Sequence, residues 1–390
     1  MNAMRSSSRI IPPGATLGML GGGQLGRMAL LAGRRLGYRF QVYDPAAKCC
    51  AASVAEKTFT APWEDRRALA AFARGIAAAT LEFENIPAET LEALARRVPV
   101  RPGARVLEIC QNRRREKKFL RRQGLPHAEF ALAESAAGLE RAVATVGFPC
   151  VLKTAAFGYD GKGQMKLTAA PKGGAKAWAD LWEKLGGAAL VVEKWIRFEA
   201  ECSVIVARGA DGATAVFPMA ENEHRNHILH RSIAPARLPA RAQREGAALA
   251  REIAEALGVV GLLAVEMFYA DGQLLVNELA PRPHNSGHYS FDACATSQFE
   301  QQIRCTAGLP LGATDLLRPA VMINLLGDLW KDGQAPDWGR LLRDPRVKLH
   351  LYDKGEPRPG RKMGHFTVMD ENPKTAVKVA DGLFEELDRG

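Results

Sequence analysis

The chain has 390 residues, of which 47% are hydrophobic and 25% charged; this suits two or three globular domains and excludes disorder for the bulk of it. No window holds about 18 consecutive apolar residues, which excludes a membrane-spanning helix. A net charge of +10 permits nucleic acid or anionic small molecules as partners.

The first residues, MNAMRSSSRI, are polar and basic with no apolar stretch behind them, so no secretory signal is expected. Ala15–Leu20 reads as a strand, Gln24–Leu36 as a helix and Tyr38–Tyr43 as a strand. Arg66–Arg74 is helical, Ala77–Glu82 a strand and Pro87–Arg97 helical. This βαβαβ order predicts a parallel sheet with right-handed crossovers. Val98–Gly103, with Pro99 and Pro102, marks the first boundary. Between Arg96 and Arg122 stand eleven Arg or Lys, opposed only by Glu108 and Glu116. That stretch reads first as an amphipathic helix, Arg113–Gln123, with Phe119 and Leu120 inward and a solvated cationic face. A basic wall beside a phosphate-bearing ligand is the second reading and a nucleic-acid footprint the third.

Further on, Phe148–Thr154 and Gln164–Leu167 are strands flanking a glycine-rich loop. Trp178–Leu185 is helical and Ala189–Lys194 a strand, and Glu199–Ala207 pairs with Ala213–Met219 across Gly209–Gly212. Arg241–Leu257 is a helix with Leu249, Ile253 and Leu257 on one stripe. Leu262–Tyr269 and Gln273–Leu279 form a hairpin about the turn Asp271-Gly272. Strands at Ala320–Leu326, Arg346–Tyr352 and His365–Met369 precede a helix from Lys374 to Leu387. Seven scattered cysteines with no CxxC pair read as reduced thiols of a cytoplasmic protein without a zinc site.

Five motifs carry chemistry. Gly21-Gly22-Gly23-Gln24-Leu25-Gly26 lies between strand and helix, where free N–H groups offer an anion site. A dinucleotide, a sugar phosphate or an empty tight turn all fit it. The strand residue Lys153 precedes the loop Phe157–Gln164 (FGYDGKGQ), a lysine and flexible glycines suited to nucleotide phosphates, although GxxxxGK[ST] is absent. Glu266 and Glu278 lie in apolar strands joined by a hairpin, with Asn277 beside them. Carboxylates there are costly unless paired or metal-bound, and this donor set suits Mg²⁺. Arg282, His284 and Asn285 follow directly as donors for a small oxyanion. Lys354, Arg358, Arg361 and Lys362 cluster beside prolines as a phosphate site or a solvated turn. His224, His227 and His230 are spaced by three, but no stable helix supports a three-histidine metal site there.

A lysine-bearing strand, a glycine-rich lid, a Glu hairpin and an arginine-rich loop follow the order seen in ATP-grasp ligases. GGGQLGRM, TLEFENIP, GYDGKGQ, NELAPRPHNSGH and YDKGEPRPGRKMGH together closely resemble the N5-carboxyaminoimidazole ribonucleotide synthetase family, the ATPase subunit of phosphoribosylaminoimidazole carboxylase in purine (IMP) biosynthesis. The resemblance runs from about Thr16 to Leu387. It implies an α/β and α+β ATP-grasp architecture: an N-terminal Rossmann-like domain (residues 1–102), an ATP-grasp domain (103–315) with a lid near 127–195, and a small C-terminal domain (316–390).

It further implies carboxylation of 5-aminoimidazole ribonucleotide by bicarbonate through carboxyphosphate, using ATP and Mg²⁺ or Mn²⁺. Arg113, Lys153, the loop Gly158, Tyr159, Asp160, Gly161, Lys162, Gly163 and Gln164, then Glu193, Lys194, Trp195, Ile196, Glu201 and His224 would hold the nucleotide. Glu266 and Glu278 would carry the metal, with Asn277 alongside. Gln24, Leu25, Glu82, Lys354, Arg361 and Lys362 would hold the ribonucleotide. Arg282, His284 and Asn285 would stabilise the carboxyphosphate. Tyr159 and Asp160 would position the amine, with Asp160 accepting its proton. Asp44 reads as structural. The Thr154–Phe157 stretch departs from the family pattern, which leaves a phosphate contact before Gly158 open. A cytoplasmic homodimer without nucleic-acid or membrane partners is implied as well. The competing readings are another ATP-grasp ligase of nucleotide metabolism, an NAD-dependent Rossmann oxidoreductase and a basic nucleic-acid-binding protein.

Overall fold

The computed structural model describes residues 10–155 and 163–389. Its first unit runs β1 (Thr16–Leu20), α1 (Gln24–Arg35), β2 (Arg39–Tyr43), β3 (Lys57–Phe59), α2 (Arg66–Arg74), β4 (Ala79–Leu81) and α3 (Ala88–Ala95). The strands form a parallel sheet of order β3-β2-β1-β4. Leu17, Met19 and Leu20 are all fully buried, as a parallel strand covered on both faces requires. The sequence reading places no strand at Lys57–Phe59, because three partly exposed residues at a sheet edge carry no readable period.

Two helices follow, α4 (Ala104–Cys110) and α5 (Arg113–Arg122). Asn112 caps α5, its side chain accepting from the N–H groups of Arg114 and Arg115. Phe119 and Leu120 are buried as expected. The solvated cationic face is corrected in part: Arg113, Glu116 and Lys117 are buried too, the last two to 1% exposure. Their groups are taken up by a neighbouring strand and sheet, a tertiary fact that the helix pattern could not carry.

A second sheet, β5-β8-β6-β7, is built from β5 (Phe130–Ala133), β6 (Cys150–Thr154), β7 (Gln164–Leu167) and β8 (Leu190–Lys194). Its helices, α6 (Ala136–Val146) and α7 (Gly174–Lys184), close a small core of Leu139, Val143, Trp178 and Trp182 against Leu152 and Val192.

The largest sheet runs β14-β13-β9-β11-β12-β15-β17-β16, with β10 paired to β9. It contains β9 (Ala200–Arg208), β10 (Thr214–Val216), β11 (Ala220–Arg225), β12 (Ile228–Ala234), β13 (Gly261–Ala270), β14 (Gln273–Ala280), β15 (Ala320–Leu326), β16 (Val347–Leu351) and β17 (Lys362–Met369). The helix α8 (Ala240–Leu257) lays Leu249, Ile253 and Leu257 on the core under β9 and β13. The hairpin of β13 and β14 turns at Asp271 and Gly272, whose φ angles of 50° and 76° are both positive, the geometry a tight two-residue turn needs. Pairing of β12 with β15 carries this sheet across the boundary expected at residues 315 and 316. The segment ends in α9 (Pro373–Arg389).

Candidate active site

The three sheets meet at a cleft of about 1000 Å³. On the side of the second sheet, Lys153 lies next to the last residue of β6 and Glu193 lies in β8. The Lys153 Nζ reaches Glu193 Oε2 at 3.1 Å and Asn277 Oδ1 at 3.3 Å. A second ammonium, that of Lys117, lies 3.3 Å from the same Glu193 oxygen. Burial alone would raise the Glu193 carboxyl, but Lys117 and Lys153 override it and hold it near 2. One oxygen of the Glu193 side chain is therefore committed to these two lysines. Lys194, Trp195 and Ile196 continue along the cleft wall. Lys166 Nζ sits 3.6 Å over the Trp195 ring, and Phe198 stacks on Phe268 at 4.8 Å; both phenylalanines line the cleft. Glu201 Oε2 lies 2.6 Å from His224 Nδ1. Burial would lower that imidazole, but Glu201 raises it above its usual value.

The two carboxylates of the hairpin are direct cross-strand neighbours, Glu266 opposite Glu278. The next pair is Met267 opposite Val276, so Asn277 is an extra residue in β14, a β-bulge. The bulge breaks the alternation of β14, and the consecutive side chains Asn277 and Glu278 both line the cleft. Glu266 Oε1 lies 2.9 Å from His284 Nε2. Burial pushes the Glu266 carboxyl up, but His284, His224 and Arg282 together bring it to about 2. Glu278 Oε2 is 3.6 Å from Arg113 Nη2, and burial together with the Glu266 charge keeps it above the ordinary carboxylate range. Two partly accessible carboxylates and an amide oxygen are hard donors that fit Mg²⁺. Among the described residues no group of three or more His, Cys, Asp or Glu forms a metal cage, so ligand oxygens would complete the coordination.

Arg282 is gripped by Glu84, Nε to Oε2 and Nη2 to Oε1 (2.9 Å for the latter). Burial would raise Glu84 and lower Arg282, yet their mutual attraction keeps both charged. Beside it the Asn285 amide is buried with neither its nitrogen nor its oxygen partnered. Gln24, Leu25, Lys354, Arg361 and Lys362 line the far end, where Lys354 Nζ bonds the Gln24 side-chain oxygen.

At the glycine turn three N–H groups are taken within the fold: Gly23 and Gly26 donate to the Glu82 carboxylate at 2.6 and 2.9 Å, and Gly22 to Asp44 at 2.6 Å. Gly23, Gln24 and Leu25 line the cleft. Asp44 is structural, as expected.

Every other sequence-predicted residue within the described segments lines this one cleft except Gly163, Arg358 and His230. That glycine has φ +69°, and a Cβ there would meet Thr154 Oγ1 at 2.4 Å. Gly158, Tyr159, Asp160, Gly161 and Lys162 lie outside the described residues. The three histidines part company: His224 faces Glu201, His227 occupies the hairpin turn at φ 65°, and His230 packs on Phe384 at 4.8 Å. Sequence reasoning missed Glu84, Lys117, Phe198 and Phe268. For Lys117 a signal existed, since it follows Arg113 by four residues on one helix face.

Three family models match the chain: a ribonucleotide synthetase preATP-grasp domain over residues 14–111, an ATP-grasp domain over 118–299, and a phosphoribosylaminoimidazole carboxylase C-terminal domain over 320–378. The N5-carboxyaminoimidazole ribonucleotide synthase of Bacillus subtilis is 44% identical over 369 residues, 94% of this chain and 94% of that protein. The bifunctional purine synthesis protein purC/E of Dictyostelium discoideum is 42% identical over 94% of this chain, which spans only 38% of that protein's length. Among solved structures, the ADP complex of an N5-carboxyaminoimidazole ribonucleotide synthetase superposes with a TM-score of 0.89 at 42% identity, covering 98% of this chain and 100% of that one. The Aspergillus clavatus enzyme in complex with ADP and 5-aminoimidazole ribonucleotide has a TM-score of 0.86 at 30% identity, covering 96% and 99%.

The grip of Glu84 on Arg282 has a measurable consequence. Glu84→Ala leaves a largely buried guanidinium without its counter-charge and is expected to cost about 3 kcal/mol of stability, read from the urea unfolding midpoint. A change under about 1 kcal/mol would mean that solvent compensates Arg282.

Proposed function

The chain belongs to the N5-carboxyaminoimidazole ribonucleotide synthase family of ATP-grasp ligases, and on that premise we propose how its residues carry the ATP-dependent carboxylation of 5-aminoimidazole ribonucleotide. The observation that supports the assignment most directly is the placement of Arg282, His284 and Asn285 in one cleft. They share it with Lys153, Glu266 and Glu278 of the nucleotide side and with Lys354, Arg361 and Lys362 of the ribonucleotide side.

Arg113, Lys153 and the loop from Gly158 to Gln164 hold the ATP phosphates. The backbone of Glu193 through Ile196 takes the adenine edge, and Glu201, oriented by His224, takes ribose hydroxyls. Glu266 and Glu278, with Asn277 alongside, would hold Mg²⁺ or Mn²⁺, which when bound supplies neutralising charge to the phosphates. A bicarbonate oxygen attacks the γ-phosphorus and the bond to ADP breaks, leaving carboxyphosphate. Arg282, fixed by Glu84, keeps donors for that anion, and the unpartnered Asn285 amide and His284 add theirs in a water-poor pocket. The exocyclic amine then attacks the carboxyl carbon directly, or CO₂ released from it. A C–N bond forms, phosphate leaves with the C–O electron pair, and Asp160 accepts the amine proton with Tyr159 beside it. Lys354, Arg361 and Lys362 hold the ribonucleotide phosphate near Gln24 and Leu25, while Glu82 serves by fixing the turn that presents them. The same reading makes the protein a cytoplasmic homodimer, which sedimentation velocity checks.

The deciding experiment measures ADP release with ATP, Mg²⁺ and bicarbonate. Stimulation by 5-aminoimidazole ribonucleotide, one ADP per bicarbonate fixed, is the expected result; nucleotide binding without stimulation would send the search to another acceptor. In the same assay Asp160→Asn is expected to abolish carboxylation while ATP still binds, and unchanged turnover would remove the proposed proton acceptor.

Ribonucleotide affinity should depend on pH through Lys354. Burial first, then Arg361 and Lys362, bring its ammonium down to about 8. A bound phosphate favours the charged form, so affinity is fully present below about pH 8 and falls by up to about tenfold per pH unit above it. Lys354→Arg, charged throughout this range, is expected to flatten the profile of ribonucleotide KM from pH 7 to 9.5. An inflection that persists in the arginine variant would exclude Lys354 as its source.

A further inference from the structure

Neither Glu116 nor Lys117 lines the cleft, yet both are 1% exposed. Burying a carboxylate and an ammonium on adjacent residues is costly unless each finds specific partners. Their partners are the backbone of one strand. Glu116 Oε2 accepts the N–H of Leu279 at 2.8 Å, and Lys117 Nζ donates to the carbonyl oxygen of Asn277 at 2.9 Å. These two groups flank Glu278 and bracket the bulge. They are available because β14 is the last strand of the large sheet; on its outer edge Val276 N–H goes to the carbonyl oxygen of Pro126 at 2.9 Å, and the next two outward groups are left for α5. Arg113, one turn earlier on α5, lies 3.6 Å from the Glu278 carboxylate itself.

We propose that Glu116 and Lys117 are positioning residues for the reaction: they clamp the bulge in β14 from its outer edge so that Asn277 and Glu278 both face the cleft. Without the clamp, β14 can revert to regular alternation, which turns one of the two side chains away. Lys117 adds a second link, because the ammonium that holds Asn277 also holds Glu193 at 3.3 Å. The inference rests on the reading of Glu266 and Glu278 as the metal-bearing pair.

The test uses the full-length protein with ADP and Mn²⁺, counting free Mn²⁺ by electron paramagnetic resonance. Glu116→Leu fills the volume but removes the acceptor; Glu116→Gln keeps a side-chain oxygen for the Leu279 N–H. Glu116→Leu is expected to weaken Mn²⁺ binding about tenfold and to speed hydrogen exchange of the Leu279 amide by about as much, one lost hydrogen bond. Metal-free ADP binding should stay within about twofold, and Glu116→Gln should restore both readouts. Lys117→Met, which frees the Asn277 carbonyl while filling the same space, is expected to weaken Mn²⁺ as well and serves if Glu116→Leu does not fold. Wild-type Mn²⁺ affinity in both variants would overturn the clamp, as would a parallel loss of metal-free ADP binding in Glu116→Leu or a glutamine variant no better than leucine. If the wild-type protein with ADP takes up no Mn²⁺, the metal reading falls. The exchange rate at Leu279 then decides the clamp by itself.

Discussion

A single buried carboxylate organises the nucleotide side of the molecule. Glu193 stands between Lys153, which lies next to the last residue of a strand in its own sheet, and Lys117, which comes from a helix laid along the edge of the large sheet. Taking three charges out of water costs several kcal/mol per ion, and the arrangement is tolerable only because each ammonium has a further acceptor. Lys153 has the Asn277 side chain and Lys117 the Asn277 carbonyl. The network thus converges on one residue of β14 from two directions. The position of Lys153 and that of Glu278 are set by the same few atoms, which matters to the roles proposed for them.

The rest of the cleft is arranged on the same pattern of cation against carboxylate, each pair drawn from different elements. Arg282 meets Glu84, His284 meets Glu266, Arg113 meets Glu278 and His224 meets Glu201. Such pairs hold donors in place before any ligand arrives, so little reorganisation is left for the moment of reaction. They also account for part of the basic stretch around α5, whose buried members Arg113 and Lys117 are bound inward. An electrostatic footprint for nucleic acid needs cations spread over an exposed face, and these two do not contribute to one.

Much of this was legible in the sequence, and the reasons differ from element to element. The hairpin of β13 and β14 announced itself by apolar runs about Asp271-Gly272, and the carboxylates stood out because nothing else charged lies on its inward face. The bulge was not legible: it depends on α5 gripping the strand from outside, and no periodicity within β14 encodes that. At the glycine turn the backbone geometry was legible, but the carboxylates that its N–H groups meet were not. Glu82 and Asp44 directly follow the strands on either side of β1, and parallel pairing carries their carboxylates to the turn, a contact across 59 residues for Glu82 and Gly23. Glu84 was hidden for the opposite reason: it sits two residues from Glu82, in the same motif, and only the tertiary fold shows that its partner is Arg282.

The continuity of the large sheet bears on how two substrates are brought together. The strands that carry Glu266 and Glu278 and the strand that starts at Lys362 belong to one hydrogen-bonded sheet, linked through β9, β11, β12 and β15. The separation between the Glu266–Glu278 pair and Lys362 is therefore fixed by strand register, which admits only steps of a whole residue, and not by the softer packing of one domain on another. The parallel N-terminal sheet then needs to supply only a lip, Gln24 and Leu25, and it is tied to the cationic end by the Lys354 contact with Gln24. The second sheet is outside this frame and has a core of its own. Among its connections to the frame are Glu193 with Lys117 and Lys153 with Asn277, so this sheet is held by the same network that meets the bulge in β14.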